Sequence, residues 1–139
     1  MPTVRATREL LASPEDVWRF LAEPYHLADW WPALGAVEPD RRGVATQARW
    51  RVTRRESSLF RKADAEDTLV VTAVEAPTRF AFELVRARIR AELRLARAGA
   101  GRSTANLTVE GPLLLGFSRS LPKTALARLH DLCQTAQAI

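Results

Sequence analysis

The feature that most constrains the fold is a strict alternation of apolar and charged residues in the second half of the chain. Between Arg88 and Leu95 the even-numbered residues are charged and the odd-numbered residues are apolar. A two-residue period of this kind is typical of a β-strand with one buried face and one solvated face. Residues 103–110 continue the alternation of apolar and polar positions. Since the apolar face has to be covered, these segments predict a sheet packed on one side against another layer.

Five further strand-like segments precede these two. Breaks at residues 39–43, 76–78 and 99–101 contain glycine or proline and separate several of them. The break near Val85–Ala87 is predicted from a change of phase alone, because the apolar positions are even-numbered up to Leu84 and odd-numbered from Ile89. The predicted strands lie near residues 4–10, 34–39, 45–55, 66–75, 79–85, 88–97 and 103–110.

Two short helices are predicted after the first strand. Ser13 suits the cap position of the first helix, and Pro14 suits its first turn, where a missing backbone N–H costs nothing. Pro24 interrupts this helix. The second helix runs from Tyr25 to about Trp30 and ends before Pro32. The two therefore form a bent pair rather than one long helix.

A longer helix is predicted at the C-terminal end, from about residue 113. Pro122 lies within its apolar beginning, so either the helix starts again near Ser120 or one longer helix is kinked there. One apolar stripe follows the helical period, at Leu126, Leu129, Cys133 and Ala136. The order of strand, two short helices, six strands and long helix predicts an α+β fold, with the helix covering a mostly antiparallel sheet.

Composition fits one domain over residues 1–139. Hydrophobic residues make up 47% of the chain and charged residues 27%, which is typical of a globular protein. The single cysteine excludes an intramolecular disulfide, and two distant histidines do not suggest a metal site, so we expect no metal and no organic cofactor. No apolar run approaches the roughly 18 residues of a membrane span, and no signal peptide is recognised. We expect a cytoplasmic protein.

The net charge of +5, with 19 arginines among 21 cations, invites a nucleic-acid hypothesis. The strand arginines share one parity with several glutamates, however, and the aromatic residues of the strands take the other parity. Nucleic-acid sites usually combine basic residues with exposed aromatic residues. We therefore predict a solvated, arginine-rich sheet face and expect no nucleic-acid partner.

Four stretches taken in order carry a resemblance that covers nearly the whole chain: Ala12–Trp18, Asp29–Pro32, Val74–Phe80 and Gly99–Thr104. They resemble the START-like superfamily, also called SRPBCC, which includes the birch-pollen-allergen fold, and the polyketide cyclase/dehydrase-type branch in particular. The resemblance implies a helix-grip fold, in which a seven-stranded antiparallel sheet wraps around the long C-terminal helix and encloses a cavity. It also implies binding of lipophilic small molecules or, in some members, cyclisation, dehydration or hydrolysis.

Alternation predicts which strand residues line such a cavity. The inward residues of four strands are predicted to be Ala48, Trp50, Val52, Phe80, Phe82, Leu84, Ile89, Ala91, Leu93, Leu95, Ala105, Leu107 and Val109. In the strand at 66–75 both the even-numbered and the odd-numbered positions carry apolar residues, and Val70, Thr72 and Val74 are predicted to point inward. No ionisable group is among them. The candidate ligand contacts are Trp50, Phe80, Phe82, Leu93, Phe117, Leu121 and Leu129, with Trp30 near the mouth. Simple packing against the C-terminal helix is the competing interpretation.

No base, nucleophile and orienting acid lie at a recognisable catalytic spacing. Tyr25, His26 and His130 are the only polar residues nominated for ligand contact. Three functions stay open: binding of a lipophilic or aromatic molecule, a cyclase or dehydratase acting in the same cavity, and an interaction module that uses the arginine-rich face. A homodimer is also left open.

Overall fold

The structure, a computed structural model, describes residues 2–58, 61–112 and 119–137. Its strands are β1 (Thr3–Leu10), β2 (Leu34–Glu38), β3 (Arg49–Ser58), β4 (Arg61–Glu75), β5 (Arg79–Leu84), β6 (Ile89–Arg97) and β7 (Ser103–Glu110). Its α-helices are α1 (Pro14–Leu21), α2 (Leu27–Trp30) and α3 (Leu121–Gln137), and a single 3-10 turn (Pro24–His26) joins α1 to α2. Each predicted strand is present, although β3 begins and ends later than the predicted 45–55 and β4 begins earlier than the predicted 66–75.

The strands form one antiparallel sheet in the order β1-β7-β6-β5-β4-β3-β2. The two edge strands, β1 and β2, are the ones that the pair α1 and α2 connects. Helix α3 lies against β1, β7 and α2. This is the predicted helix-grip α+β fold, and it creates one sheet face that is covered by α3.

The first helix begins as its sequence predicts. The Oγ atom of Ser13 accepts a hydrogen bond from the backbone N–H of Asp16 at 3.2 Å, and Pro14 occupies the first turn. Val17 and Leu21 lie one turn apart and are buried, so α1 packs its apolar stripe on the sheet side. The helix ends before Pro24, as expected.

The phase change near residue 86 is a turn, and a buried carboxylate holds it. The backbone N–H groups of Arg86 and Ala87 donate to the two carboxylate oxygens of Asp67, at 2.8 and 3.0 Å. Arg88 adopts the left-handed conformation that closes such a turn, with φ of 57°. The predicted break is thus confirmed, although the sequence near residue 86 contains no conventional turn residue to announce it.

The structure corrects the choice of inward residues in β4. Leu69 and Val71 are buried, whereas Val70 and Thr72 take the opposite parity and point outward. A register shift between Val71 and Ala73 then restores the phase, so that Val74 pairs with Phe80 and packs against the core. Because both parities of this strand are apolar, alternation alone could not locate the bulge.

Candidate functional site

The candidate site is the inner face of the sheet, defined as the face that α3 covers. The predicted inward residues of β3, β5, β6 and β7, together with Ala48 just before β3, are all buried. They belong to one continuous core with the buried residues of α3, which are Leu121, Ala125, Leu126, Leu129 and Cys133. Alternation therefore predicted the inner face correctly in four strands. Leu121 and Leu129 face it as expected, and Phe117 lies outside the described residues.

A chain of aromatic rings crosses this face from α2 to β3. Trp31 contacts Phe82 edge-on, with ring centres 5.0 Å apart, and Phe82 contacts Phe80 at 5.7 Å. Trp50 continues the chain at 6.3 Å from Phe80, and Trp30 meets Trp31 at 5.9 Å. Such tilted and edge-on pairs are the favoured geometries of aromatic side chains. The rings provide a broad apolar surface with few rotatable bonds.

The two neighbouring tryptophans of this chain are both buried. Trp30 was expected near the mouth of a cavity, but only 1% of it is exposed, so it lies inside the packed face rather than at an exposed rim. The indole N–H of Trp50 donates to the backbone oxygen of Gly43 at 2.9 Å. That donor is satisfied within the protein, and the ring of Trp50 is left for apolar contacts.

The nominated polar residues lie apart from this chain of rings. Tyr25 is 63% exposed. His26 stacks on Phe20, with ring centres 4.0 Å apart, and its Nδ1 atom lies 2.8 Å from the backbone oxygen of Phe20, to which it donates. The Nδ1 atom of His130 lies 3.4 Å from Asp131 on the same helix. The hydrogen bonds given for the described residues do not join these three side chains to one another.

One ion pair on the inner face escaped the sequence analysis. Asp67 is 2% exposed and stands opposite Val52 in the sheet register, which places it on the inner face. Its carboxylate accepts from Nε of Arg54 at 2.9 Å and from the backbone N–H of Thr68 at 2.7 Å, in addition to the two turn donors. The expectation of an inner face without ionisable groups was therefore wrong at this end.

The sequence contains a signal for the arginine of this pair. Arg54 is two residues beyond Val52 and four beyond Trp50, so alternation places it on the inner face as well. An arginine in such a position indicates a buried partner. Asp67 is odd-numbered, whereas the even-numbered residues of its strand were predicted to point inward. Because the bulge in this strand was not predicted, the inward position of Asp67 was missed. Four hydrogen bonds offset the cost of removing this carboxylate from water.

The outer face of the sheet, on the opposite side, is organised by exposed ion pairs. Glu92 on β6 accepts from Arg94 at 2.6 Å and from Arg79 on β5 at 2.9 Å. These hydrogen bonds, that from Arg94 first, hold the pKa of Glu92 below its ordinary value. Arg90 pairs with Glu83 across the same two strands at 3.7 Å. Glutamates thus pair with the arginines of the outer face on β5 and β6.

Neither a metal cluster nor a membrane-spanning helix is found in the described part of the chain. Among the side chains that the structure describes, no three His, Cys, Asp or Glu residues lie close enough together to hold a metal ion. None of the described helices has the length and apolar character needed to span a membrane.

Several solved structures share the fold of this chain but little of its sequence. Protein TTHA0849 from Thermus thermophilus superposes with a TM-score of 0.72 and 17% identity, over 97% of this chain and 99% of that one. Protein DR_A0006 from Deinococcus radiodurans gives 0.71 and 16%, over 99% and 98%. Protein NE0264 from Nitrosomonas europaea gives 0.69 and 15%, over 99% and 97%. These likenesses establish the fold alone.

Sequence comparison identifies the family. No curated protein is significantly similar to the chain in sequence. Residues 1–133, however, match the family described as polyketide cyclase / dehydrase and lipid transport. The match extends over the sheet and most of α3, and it agrees with the resemblance inferred from the four sequence stretches. The chain therefore belongs to the polyketide cyclase/dehydrase and lipid-transport family.

Proposed function

We propose that this protein binds a small lipophilic or aromatic molecule between the inner face of the sheet and α3. The observation that carries the proposal is a set of buried alanines placed among the large rings and leucines. Ala91 and Ala105 lie on the inner face of the sheet, and Ala125 lies on the facing side of α3. Small side chains on two facing surfaces leave room for a guest wherever their neighbours do not fill it.

The chemistry of the face suits an apolar guest. Removal of apolar surface from water contributes about 25 cal/mol per Å², so a guest that buries about 200 Å² gains about 5 kcal/mol before its binding entropy is counted. The ring chain between Trp31 and Trp50 adds favourable contacts for an aromatic guest. The family description, which includes lipid transport, supports the same class of ligand.

Binding is favoured over catalysis because the buried ionisable groups of this face are already engaged. Asp67 uses its carboxylate for four hydrogen bonds inside the protein, and a carboxylate has about four acceptor positions. The guanidinium group of Arg54 has hydrogen-bond donors and no acceptor. Neither group is therefore suited to accept a proton from a substrate, as general base catalysis requires.

Cyclisation or dehydration of a polyketide-like substrate in the same place is the second candidate, and the family description supports it. The two candidates differ in the fate of the ligand. A binding protein releases the molecule unchanged, whereas a cyclase or dehydratase returns a product with altered absorbance and, for dehydration, a mass lower by one water. Incubation with linear polyketide mimics, followed by mass spectrometry, separates them.

The proposal covers residues 1–139 as one domain and includes a cytoplasmic location. Cys133 is a buried free thiol, which is compatible with a reducing compartment. Solution mass measured by light scattering tests the dimer that the sequence left open. A monomer would show that the binding function needs no second subunit.

The decisive experiment places a larger side chain in the proposed ligand cavity. Ala91→Leu adds three carbon atoms to the inner face at the position paired with Phe82. The matched control is Ala96→Leu, which makes the same change on the same strand at an exposed position. We expect Ala91→Leu to weaken binding of an apolar fluorescent probe by about tenfold or more with little change in stability, and Ala96→Leu to leave probe binding unchanged.

The opposite result identifies a solid core. If the space is already filled, Ala91→Leu overpacks it and lowers the free energy of unfolding by about 1–3 kcal/mol. A wild-type protein that binds no probe, combined with this loss of stability, contradicts the proposal. Native mass spectrometry of the protein purified from its host complements the test, because a retained small molecule reveals the ligand class directly.

A further inference from the structure

A groove of about 380 Å³ separates β1 from the beginning of α3. Four cationic side chains line it: Arg5 and Arg8 on β1, Arg119 in the turn before α3, and Lys123 in the first turn of α3. Among the described residues, Ala6, Thr7, Ser120 and Leu126 also line it, and no carboxylate does. More than a hundred positions separate the two basic pairs in the sequence, so only the fold brings them together.

Two other grooves show how different this one is. The groove on the outer face, of about 490 Å³, balances Arg5, Arg79 and Arg90 against Glu83, Glu92 and Glu110. A third groove, of about 360 Å³, includes three arginines together with two carboxylates: Arg49, Arg51 and Arg86 with Glu66 and Asp67. Of these three grooves, the one between β1 and α3 differs in that its described lining contains four cations and no carboxylate; Arg5 borders both this groove and the outer one.

The ion pairs of the described residues support this contrast. Arg79 and Arg94 share Glu92, and Arg102 pairs with Glu9 at 3.0 Å. By comparison, the ion pairs among the side chains that the structure describes include none made by the four groove cations. Four like charges around one concavity repel one another, and an anion placed between them relieves that repulsion.

We propose that this groove is a binding site for a phosphate-class dianion, carried either by a free small molecule or by a phospholipid headgroup. Three guanidinium groups and one ammonium group offer many donors, which matches the three oxygens and double charge of a phosphate better than a single carboxylate. The volume suits one such group. This inference is independent of the apolar site proposed above, because it rests on different residues.

A nucleic acid fits the groove less well. Single-stranded nucleic acids are usually held by aromatic stacking as well as by charge. The described residues that line the groove include no aromatic side chain. The large apolar residues found exposed in the described part of the chain, Tyr25 and Val85, lie elsewhere. Because the described lining provides positive charge but no ring on which a base could stack, the groove favours a compact anion over a nucleic acid.

The first test is a calorimetric titration of the protein with pyrophosphate at low ionic strength. Arg8→Gln combined with Lys123→Gln removes one cation from each side of the groove. Arg41→Gln combined with Arg42→Gln is the matched control, since it removes the same charge from two exposed residues between β2 and β3. We expect the groove variant to bind pyrophosphate about tenfold or more weakly, and the control to stay within about twofold of the wild type.

The second test distinguishes the two sources of the anion. Flotation uses phosphatidylcholine vesicles with and without phosphatidic acid. Co-flotation with the acidic vesicles, abolished by pyrophosphate and by the groove variant, supports a lipid headgroup. Pyrophosphate binding without co-flotation supports a free phosphate compound. Melting curves of both double variants verify that the exposed substitutions leave the fold intact.

Three results overturn the inference. The first is that the wild type binds no pyrophosphate at millimolar concentration. The second is that both double variants lose affinity equally, which would make net charge rather than the groove responsible for binding. The third is single-stranded RNA binding that needs the groove cations and that pyrophosphate does not displace. That result would assign the groove to a polymer and not to a compact phosphate.

Discussion

The inner and outer faces of the sheet are built from the same strands but are held by different forces. On β5 and β6, Phe82 and Ala91 meet on the inner face, whereas Arg79 and Glu92 meet on the outer face. The inner contacts are removed from water and depend on shape, while the outer pairs remain in water and are screened. Charge therefore stands out in two places: at Asp67, where it is buried, and between β1 and α3, where four cations line one groove whose described residues include no carboxylate.

The largest effect is expected at the one place where the inner face carries charge. Asp67→Ala removes the carboxylate that accepts from Arg54 and from the backbone N–H groups of Arg86 and Ala87, and it leaves those two backbone donors without this acceptor. We expect the free energy of unfolding in urea to fall by about 3–5 kcal/mol. The matched control is Glu66→Ala, an exposed carboxylate on the adjacent position that pairs with Arg51, and it should cost less than about 1 kcal/mol. Equal losses in the two variants would show that burial makes no difference here.

A second effect concerns the thiol of α3 that faces the core. Burial raises the pKa of Cys133 from 9.0 to about 11, so the folded protein keeps this thiol protonated where a free thiol ionises. The stability that this shift contributes is fully present below pH 9 and is lost as the pH rises through about 11. We expect slow alkylation by iodoacetamide at pH 9 in the folded protein and fast alkylation in urea. Similar rates in both states would place the thiol at the surface.

A smaller effect is expected at a hydroxyl on the inner face. Among the described residues, the buried Oγ atom of Ser103 has no hydrogen-bond partner. Ser103→Ala removes this uncompensated group and should raise the free energy of unfolding by about 1 kcal/mol. The reverse change, Ala105→Ser on the same face of β7, should lower it by about 1–3 kcal/mol. Thermal melting measures both, and a destabilised Ser103→Ala variant would indicate a hydrogen bond made by this hydroxyl.

The smallest effect is expected on the outer face. Glu92→Gln should lower the free energy of unfolding by less than about 1 kcal/mol at neutral pH, because the side chain remains partly solvated. The hydrogen bonds from Arg94 and Arg79 depress the pKa of Glu92, so its contribution is present above its unfolded pKa of about 4.5 and is lost as the pH falls through the lowered value. Chemical denaturation at pH 7 and pH 3 checks this. A difference between variant and wild type that persists at pH 3 would show that charge is not its cause.

Much of the fold could be predicted because its signals are local. The cap at Ser13, the break at Pro24 and the alternation in β6 each depend on a few neighbouring residues, and the structure reproduces all three. The inner residues Trp50, Phe82 and Leu93 follow from the same alternation. Their role as ligand contacts remains a proposal, since the same burial serves a solid core.

The remaining features depend on contacts between distant parts of the chain. Alternation in β4 fails at the bulge after Val71, because the extra residue is detectable only against the partner strand β5. Likewise, Asp67 stabilises the turn after β5 only because the fold brings the backbone N–H of Arg86 within hydrogen-bond distance of its carboxylate.

Sequence by itself determined the order of the elements and the apolar face of most strands, since both depend on periods of a few residues. Tertiary structure alone decided where charge is buried and where it is left unpaired. Arg8 and Lys123 read as ordinary surface cations until β1 and α3 pack side by side and place them around one groove. The physical reason is that electrostatic environment depends on distance in space, which local sequence patterns do not encode.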